Sequence, residues 1–186
     1  MGMRLFISVN FSSGTIRQLE AWQDGLRQAG VSGHWRRGEN LHVTLKFLDE
    51  VDIARLPGLL KVLAHCSSQP QTTASAAFIG GLGVFPHLSR PRILWAGLAC
   101  PPLVAFQSRL EHSLAPLGFS VEARPFTPHI TLASGKIAGV TASLLEQGET
   151  TCIKEPLQFF HLMESRVEAG RRMYRSIARF ELPFRH

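Results

Sequence analysis

The chain has 186 residues, 45% of them hydrophobic and 18% charged, and its formal net charge is +6. This composition is typical of one globular domain and excludes a disordered chain, and no apolar run approaches the roughly 18 residues that a membrane span needs. The first residues alternate like a strand and lack a signal-peptide cleavage site, so we expect a cytoplasmic protein with no membrane partner. The positive charge is compatible with an RNA or nucleotide substrate but does not require one.

The number and spacing of the cysteines and histidines give little indication of a metal site or a disulfide. The three cysteines, Cys66, Cys100 and Cys152, are odd in number and far apart, so we expect reduced thiols rather than a disulfide framework or a zinc site. The histidines show no metal-ligand spacing such as H-x-x-x-H. The sequence therefore predicts no metal and no other cofactor.

In chain order, the predicted elements form an internal repeat. A strand beginning at residues 4–7 precedes a helix over residues 13–29, and a strand beginning at residues 92–95 precedes a helix over residues 102–117. Each helix leads into a Gly-x-Ser segment, Gly30-Val31-Ser32 or Gly118-Phe119-Ser120, and then into a second strand. The repeat predicts two similar β-α-β units fused into one α+β domain over residues 1–186, with units at roughly 3–82 and 91–183.

Further elements complete each half. Helices are predicted at residues 53–65 and 140–147, and strands at residues 72–79, 157–164 and 173–182. Residues 167–170 are expected to connect the last two strands as a hairpin. Residues 80–83, Gly-Gly-Leu-Gly, lack the Lys-Ser or Lys-Thr of a phosphate-binding loop, so we predict a turn there.

The tetrapeptide His-x-Thr-Leu occurs at equivalent points of the two units, as His42-Val43-Thr44-Leu45 and His129-Ile130-Thr131-Leu132. Alternate residues of a strand share a face, so each copy presents its His and Thr together. A lone histidine on a strand is more often structural than catalytic. The repeated pair is different, because a duplicated fold places equivalent strands across a shared cleft. Two imidazoles and two hydroxyls there could provide an acid, a base and two hydrogen-bond donors.

The chain resembles the 2H phosphoesterase superfamily, and within it the RNA 2′,3′-cyclic phosphodiesterases, also called 2′-5′ RNA ligases. The resemblance rests on the segments from Asn40 to Leu48 and from Arg124 to Leu132, which contain the two motifs. Supporting matches occur at residues 4–7, 92–97 and 164–174. They cover nearly the whole chain in the expected order.

The resemblance implies a bilobal α+β fold with antiparallel sheets around a central groove. It implies a metal-independent reaction that opens an RNA terminal 2′,3′-cyclic phosphate to a 2′-phosphomonoester, and reverse 2′-5′ ligation is compatible with it. His42 would be the proton donor and His129 the proton acceptor, while Thr44 and Thr131 would hold phosphoryl oxygens. Phe47 would lie beside the groove and stack on the terminal base. We expect a monomer.

One departure from the family pattern concerns the phosphate-binding cation. Many relatives carry Arg two positions after the second Thr-Leu, where this chain has Ser134. Lys46, Arg124, Arg36 or Lys136 could supply the missing charge. Lys46 is the first candidate, because it would share a face with His42 and Thr44 on a regular strand. A solvated lysine at the strand end is an equally good interpretation of it.

Two other functions remain open. The missing Arg is also compatible with a weakly active nucleotide- or RNA-binding module of the same fold. A third hypothesis is a hydrolase of a small cyclic nucleotide phosphate. A metal-dependent hydrolase is disfavoured, because carboxylates are sparse around both motifs.

Overall fold

The computed structural model describes residues 2–69, 76–148 and 151–184. Its strands are Gly2–Asn10 (β1), Ser32–Trp35 (β2), His42–Asp52 (β3), Ala76–Phe85 (β4), Ile93–Ala99 (β5), His129–Ala138 (β6), Ile153–Pro156 (β7), Phe159–Glu168 (β8) and Arg171–Glu181 (β9). Its α-helices are Ser13–Gln28 (α1), Leu56–Ser68 (α2), Pro101–Leu114 (α3) and Ala142–Gly148 (α4). Within those ranges, no helix is long and apolar enough to cross a membrane.

The predicted order of elements and the α+β class are confirmed. The hairpin between β8 and β9 turns at Ala169 and Gly170, whose φ angles of 47° and 75° suit a two-residue turn. The strand predicted over residues 72–79 begins at Ala76 in the structure, and residues 72–75 lie outside the described ranges. The short strands β2 and β7 were not predicted, since four residues are too few for a clear alternation.

The strands pair antiparallel in the order β7-β4-β5-β6-β3-β1-β8-β9, with β2 added to β6. Between β3 and β6, the pairing consists of Val43 opposite Ile130. The sheet is therefore two antiparallel parts joined at the starts of the two motif strands. We call β3-β1-β8-β9 the first lobe and β7-β4-β5-β6 with β2 the second lobe. This arrangement confirms the bilobal prediction.

Each lobe draws on both halves of the sequence. Helix α3 packs on the first lobe, where the ring of Phe106 lies 5.0 Å from that of Phe160 on β8. Helix α1 packs on the second lobe, where the N-cap Ser12 donates from its backbone and its hydroxyl to Glu155 of β7. Strand β4 comes from the first half of the sequence but pairs in the second lobe, and strand β8 comes from the second half but pairs in the first lobe. Because the halves interlock in this way, we propose that the chain folds as a single domain.

A β-bulge follows the His-x-Thr pair in both motif strands. Pairing moves from Ser8–Thr44 to Ile7–Lys46, which leaves Leu45 as the extra residue of β3. In β6, pairing moves from Trp95–Thr131 to Leu94–Ala133, which leaves Leu132 as the extra residue. The two bulges occupy the same motif position, as expected of a duplication.

Two buried glutamines bind the carbonyl groups of the bulged leucines. Gln107 of α3 donates to the Leu45 carbonyl at 3.2 Å, and Gln23 of α1 donates to the Leu132 carbonyl at 2.9 Å. A bulged residue loses its regular ladder partner, and a buried carbonyl without a partner is costly. Each glutamine therefore stabilises the bulge of one motif from the helix that packs behind it.

The bulge overturns the expectation that Lys46 shares a face with His42 and Thr44. The extra residue shifts the alternation by one position, so Lys46 points to the buried face and is only 8% exposed. Phe47 takes the outward place and is 67% exposed. The regular-strand argument for Lys46 was wrong because it assumed unbroken alternation.

The turn predicted at residues 80–83 is also wrong, because these residues lie inside β4. The glycines serve close packing instead. A Cβ at Gly83 would lie 2.0 Å from the ring of Trp95, and a Cβ at Gly80 would lie 2.1 Å from the Thr151 carbonyl oxygen. At Gly81, φ is 71° and the pairing with β5 shifts by one residue. Glycine allows the strand to pass these neighbours.

Candidate active site

The junction of the two lobes brings the two His-Thr pairs together. Val43 and Ile130 lie opposite each other and are fully buried. Their neighbours on each strand point to the other face of the sheet, because strand side chains alternate. His42, Thr44, His129 and Thr131 therefore share one face, as the sequence predicts, and all four line one cleft.

The cleft encloses about 450 Å³, counting its open mouth. Its described lining consists of the two His-Thr pairs together with Phe6, Arg36, Asn40, Phe47 and Tyr174. Phe47 was predicted to lie beside the groove, and the structure places it in the lining. Arg36 was only one of several predicted sources of positive charge.

Aromatic rings surround the first histidine. The centroid of the His42 ring lies 5.1 Å from Phe6 and 5.3 Å from Tyr174, which meets it edge-on. Its Nε2 lies 3.1 Å from the Thr44 hydroxyl. Phe6 and Tyr174 had not been predicted as site residues. They come from β1, which pairs with β3, and from β9, which lies beyond β8 in the same lobe, and only this fold brings them to His42.

These surroundings lower the pKa of His42. Burial is the largest cause, and it lowers the value from 6.5 to about 4 together with the positive charges of Arg36 and His129. A hydrogen bond with the backbone of Asn40, two residues earlier, opposes the shift. His42 is consequently neutral at pH 7 in the free cleft.

The second histidine has a defined tautomer. Nδ1 of His129 lies 2.8 Å from the Thr127 carbonyl oxygen, which can only accept a hydrogen bond. Nδ1 therefore carries the hydrogen, and Nε2 of the neutral ring keeps a free lone pair. Phe85 packs edge-on against the ring at 5.2 Å. In both motifs, the backbone two residues before the histidine holds its ring.

The structure does not bring the other two predicted binding residues to the cleft. Lys46 forms a buried ion pair with Glu111 of α3 and donates to the Ser120 carbonyl at 2.7 Å. Arg124 is exposed and pairs with Glu122 at 3.0 Å in the same loop. The predicted substrate contacts of Lys46 and Arg124 are therefore corrected: the bulge turns Lys46 inward, and Glu122 already pairs with Arg124.

The described residues contain no group of three or more His, Cys, Asp or Glu side chains placed to hold a metal ion. The polar groups lining the cleft are instead imidazoles, hydroxyls, an amide and a guanidinium. These groups can donate hydrogen bonds to an anionic ligand, and the imidazoles can also exchange protons with it.

We expect the His42 imidazole to titrate near pH 4 in the ligand-free protein and at higher pH with bound inorganic phosphate, whose charge favours the imidazolium. Between about pH 4 and 6.5 the folded protein binds fewer protons at His42 than the unfolded chain. Through this group, the free energy of unfolding therefore falls as the pH drops through that range.

Imidazole NMR spectra recorded across this pH range would measure the titration, with the variant His42→Gln used for assignment. A midpoint of about 6 to 7 in the free protein, the range of an exposed histidine, would contradict the described burial.

Comparison with known proteins gives consistent matches. A sequence profile described as LigT-like phosphoesterase matches residues 9–95 and 99–148. A protein of Methanocaldococcus jannaschii named RNA 2′,3′-cyclic phosphodiesterase is 30% identical over 134 residues, which are 72% of each chain. An Escherichia coli protein of the same name is 29% identical over 96% of each chain.

Solved structures share the fold. Thermus thermophilus TT0787 gives a TM-score of 0.79 at 24% identity, covering 99% of this chain and all of that one. E. coli LigT complexed with 3′-AMP gives a TM-score of 0.73 at 24% identity, covering 98% of this chain and 99% of that one.

Proposed function

The chain belongs to the LigT-like phosphoesterase family, and from this premise we propose that it hydrolyses RNA 2′,3′-cyclic phosphodiester ends to 2′-phosphomonoesters. That activity is the one named for its curated relatives. The observation that carries the proposal is the placement of His42, Thr44, His129 and Thr131 on one face of one cleft. The proposed enzyme is a cytoplasmic monomer that uses two-histidine acid–base catalysis without a metal.

His129 is the proposed base. Its Nε2 takes a proton from water while the water oxygen attacks phosphorus in line with the 3′ oxygen. The hydrogen bond from Nδ1 to the Thr127 carbonyl supports this role, because it leaves Nε2 free to accept. It also stabilises the imidazolium that forms, since a carbonyl oxygen attracts the additional charge.

His42 is the proposed acid, in the role that the family resemblance gives it. As the P–O3′ bond breaks, His42 gives its proton to the departing oxygen, and the product carries a 2′-phosphate and a 3′-hydroxyl. With a pKa of about 4, roughly one His42 in a thousand is protonated at pH 7 in the free cleft. The bound phosphodiester anion raises that fraction, because its negative charge favours the imidazolium and offsets the positive charge of Arg36.

The remaining cleft residues hold the substrate in this proposal. The Thr44 and Thr131 hydroxyls donate to the two non-bridging phosphoryl oxygens, which gain charge during the attack. Phe47 is exposed at the edge of the cleft, where its ring can stack on the terminal base. A 5′-hydroxyl in place of water would give a 2′-5′ phosphodiester by the same proton transfers.

The test uses a short RNA ending in a 2′,3′-cyclic phosphate, incubated with the protein in EDTA. We expect a product one water heavier whose phosphate is on the 2′ oxygen, identified by chromatography and mass spectrometry. The same RNA ending in a 3′-phosphate is the control and should stay unchanged. Adenosine 2′,3′-cyclic phosphate in parallel separates an RNA substrate from a small nucleotide.

Each outcome decides a part of the proposal. Absence of product at high enzyme concentration would exclude the hydrolase function. Product that forms only after a divalent metal is added would exclude the metal-independent mechanism. Faster turnover of the mononucleotide than of RNA would exclude RNA ends as the preferred substrate.

A further inference from the structure

Arg36 has a position that no other cation in the described cleft shares. It is the only Lys or Arg among the lining residues that the structure describes, and it lies there with both histidines and both threonines. It lies close enough to His42 for its charge to lower the pKa of that imidazole. An anion bound between the two histidines would therefore also lie beside the Arg36 guanidinium.

The backbone of Arg36 is fixed to the second motif strand. Its N–H donates to the Leu132 carbonyl at 2.8 Å, and its own carbonyl accepts from Gln23 at 2.9 Å. Gln23 is 1% exposed and also donates to the Leu132 carbonyl. Three hydrogen bonds thus hold the chain at Arg36 against the bulge of the strand that begins with His129.

The Arg36 side chain forms no ion pair within residues 2–69, 76–148 and 151–184. Two of the other cations considered for this role are paired, Lys46 with Glu111 and Arg124 with Glu122. The third, Lys136, is exposed and is not among the residues that line the cleft. No carboxylate is ion-paired with Arg36 in the described chain. A half-buried guanidinium in a cleft without such a partner is free to bind a ligand anion.

The strand pairing relates Arg36 to the place where the family pattern has an arginine. In β2, His34 lies opposite Ser134 and Trp35 opposite Ala133 of β6. Arg36 follows directly and bonds to Leu132, so it lies beside the same stretch of β6 as Ser134. Thr131 and Ser134 share a face, since they pair with Trp95 and Ile93, two residues apart on β5.

We infer that Arg36 binds the substrate phosphate, and that it supplies from β2 the positive charge that Ser134 lacks on β6. The inference rests on the proposed function, and it identifies the side chain that supplies the positive charge at that site. The planar guanidinium can donate two parallel hydrogen bonds to phosphoryl oxygens. Because the non-bridging phosphoryl oxygens gain negative charge during the attack, this contact strengthens in the transition state and raises kcat more than it lowers KM.

Four variants test the inference on an RNA with a 2′,3′-cyclic phosphate end. Arg36→Gln should lower kcat/KM by about 10²–10³-fold, mostly through kcat. Arg36→Lys should fall between it and the wild type, because it keeps the charge but loses the paired donors. Arg37→Gln is the matched control and should change kcat/KM by no more than about twofold, since exposed charges are screened. Arg36→Gln combined with Ser134→Arg should recover part of the loss.

Two measurements separate phosphate binding from a structural role. The affinity for inorganic phosphate, followed by NMR, should fall for Arg36→Gln and stay unchanged for Arg37→Gln. The pKa of His42 should rise in Arg36→Gln, because a neighbouring positive charge has been removed. Thermal unfolding of each variant identifies any loss of the folded state.

The outcomes distinguish the inference from the function on which it rests. A wild-type protein that binds phosphate through Arg36 but yields no product would contradict the proposed function alone. An active wild type with equally active Arg36→Gln would contradict the inference alone, as would equal losses in Arg36→Gln and Arg37→Gln. Absence of recovery in the Ser134→Arg double variant would show that the two positions do not serve the same phosphate.

Discussion

Replacing His129 or His42 by alanine is expected to lower kcat for opening the cyclic phosphate by about 10²–10⁴-fold, the usual contribution of a general acid or base. Each variant removes one proton transfer and leaves the threonines and Arg36 in place, so residual activity remains. The two residues act in one step, so the double variant should be little slower than either single variant. Steady-state initial rates at a saturating RNA concentration would measure these effects.

His112→Ala provides a matched control for this experiment. His112 is also a histidine whose Nδ1 hydrogen-bonds to a backbone carbonyl, that of Ser108, but it lies exposed on α3 outside the cleft lining. Its variant should keep wild-type kcat. A loss of less than about tenfold in His129→Ala, in a variant that remains folded, would contradict a role for His129 as the base.

The site could be predicted largely because its key residues are local and repeated. A His and a Thr two positions apart share a strand face whatever the strand pairs with. Two copies at equivalent points of a duplication imply that the two faces meet. The neighbours of His42 could not be predicted in this way, because Phe6 and Tyr174 reach it only through the strand order β3-β1-β8-β9. A single sequence does not reveal the order of the strands in the sheet.

The bulge explains the error at Lys46, and a long-range strand pairing explains why Arg36 was not the first candidate. A bulge depends on the register with a partner strand, and Leu45 carries no local sign that it will be the extra residue. If the alternation of side chains is assumed to be unbroken, Lys46 is placed on the outward face of the strand, where the structure has Phe47. Arg36 lies before the motif in sequence and reaches the cleft because β2 pairs with the distant strand β6.

The repeat pattern also could not predict that each lobe takes elements from both halves of the sequence. Periodicity identified α1 and α3 as equivalent helices but not the lobe on which each would pack. Gln23 and Gln107 lie on the buried sides of these helices and bind the bulged carbonyls of Leu132 and Leu45. A polar residue on a helix's apolar side signals a buried hydrogen bond, yet its partner is known only from the fold.

The corrected position of Lys46 leads to the second large effect, which concerns stability. Lys46 Nζ and a carboxylate oxygen of Glu111 lie 2.5 Å apart, and both side chains are at most 7% exposed. Glu111 also accepts from Gln107 at 3.1 Å and from the Glu122 N–H at 3.3 Å. Glu111→Ala would leave Lys46 as a buried charge without its partner, so we expect the free energy of unfolding to fall by about 3–5 kcal/mol.

Urea unfolding of Glu111→Ala and of Lys46→Met/Glu111→Ala would measure this effect. Removing both charges abolishes the unpaired lysine, so the double variant should regain much of the lost stability. The recovery should be incomplete, because the Gln107 amide, the Glu122 N–H and the Ser120 carbonyl each lose a hydrogen-bond partner. Glu122→Ala, which breaks the exposed pair with Arg124, is the matched control and should change stability little. A loss below about 1 kcal/mol in Glu111→Ala would mean that water reaches Lys46 and that the pair is not buried in solution.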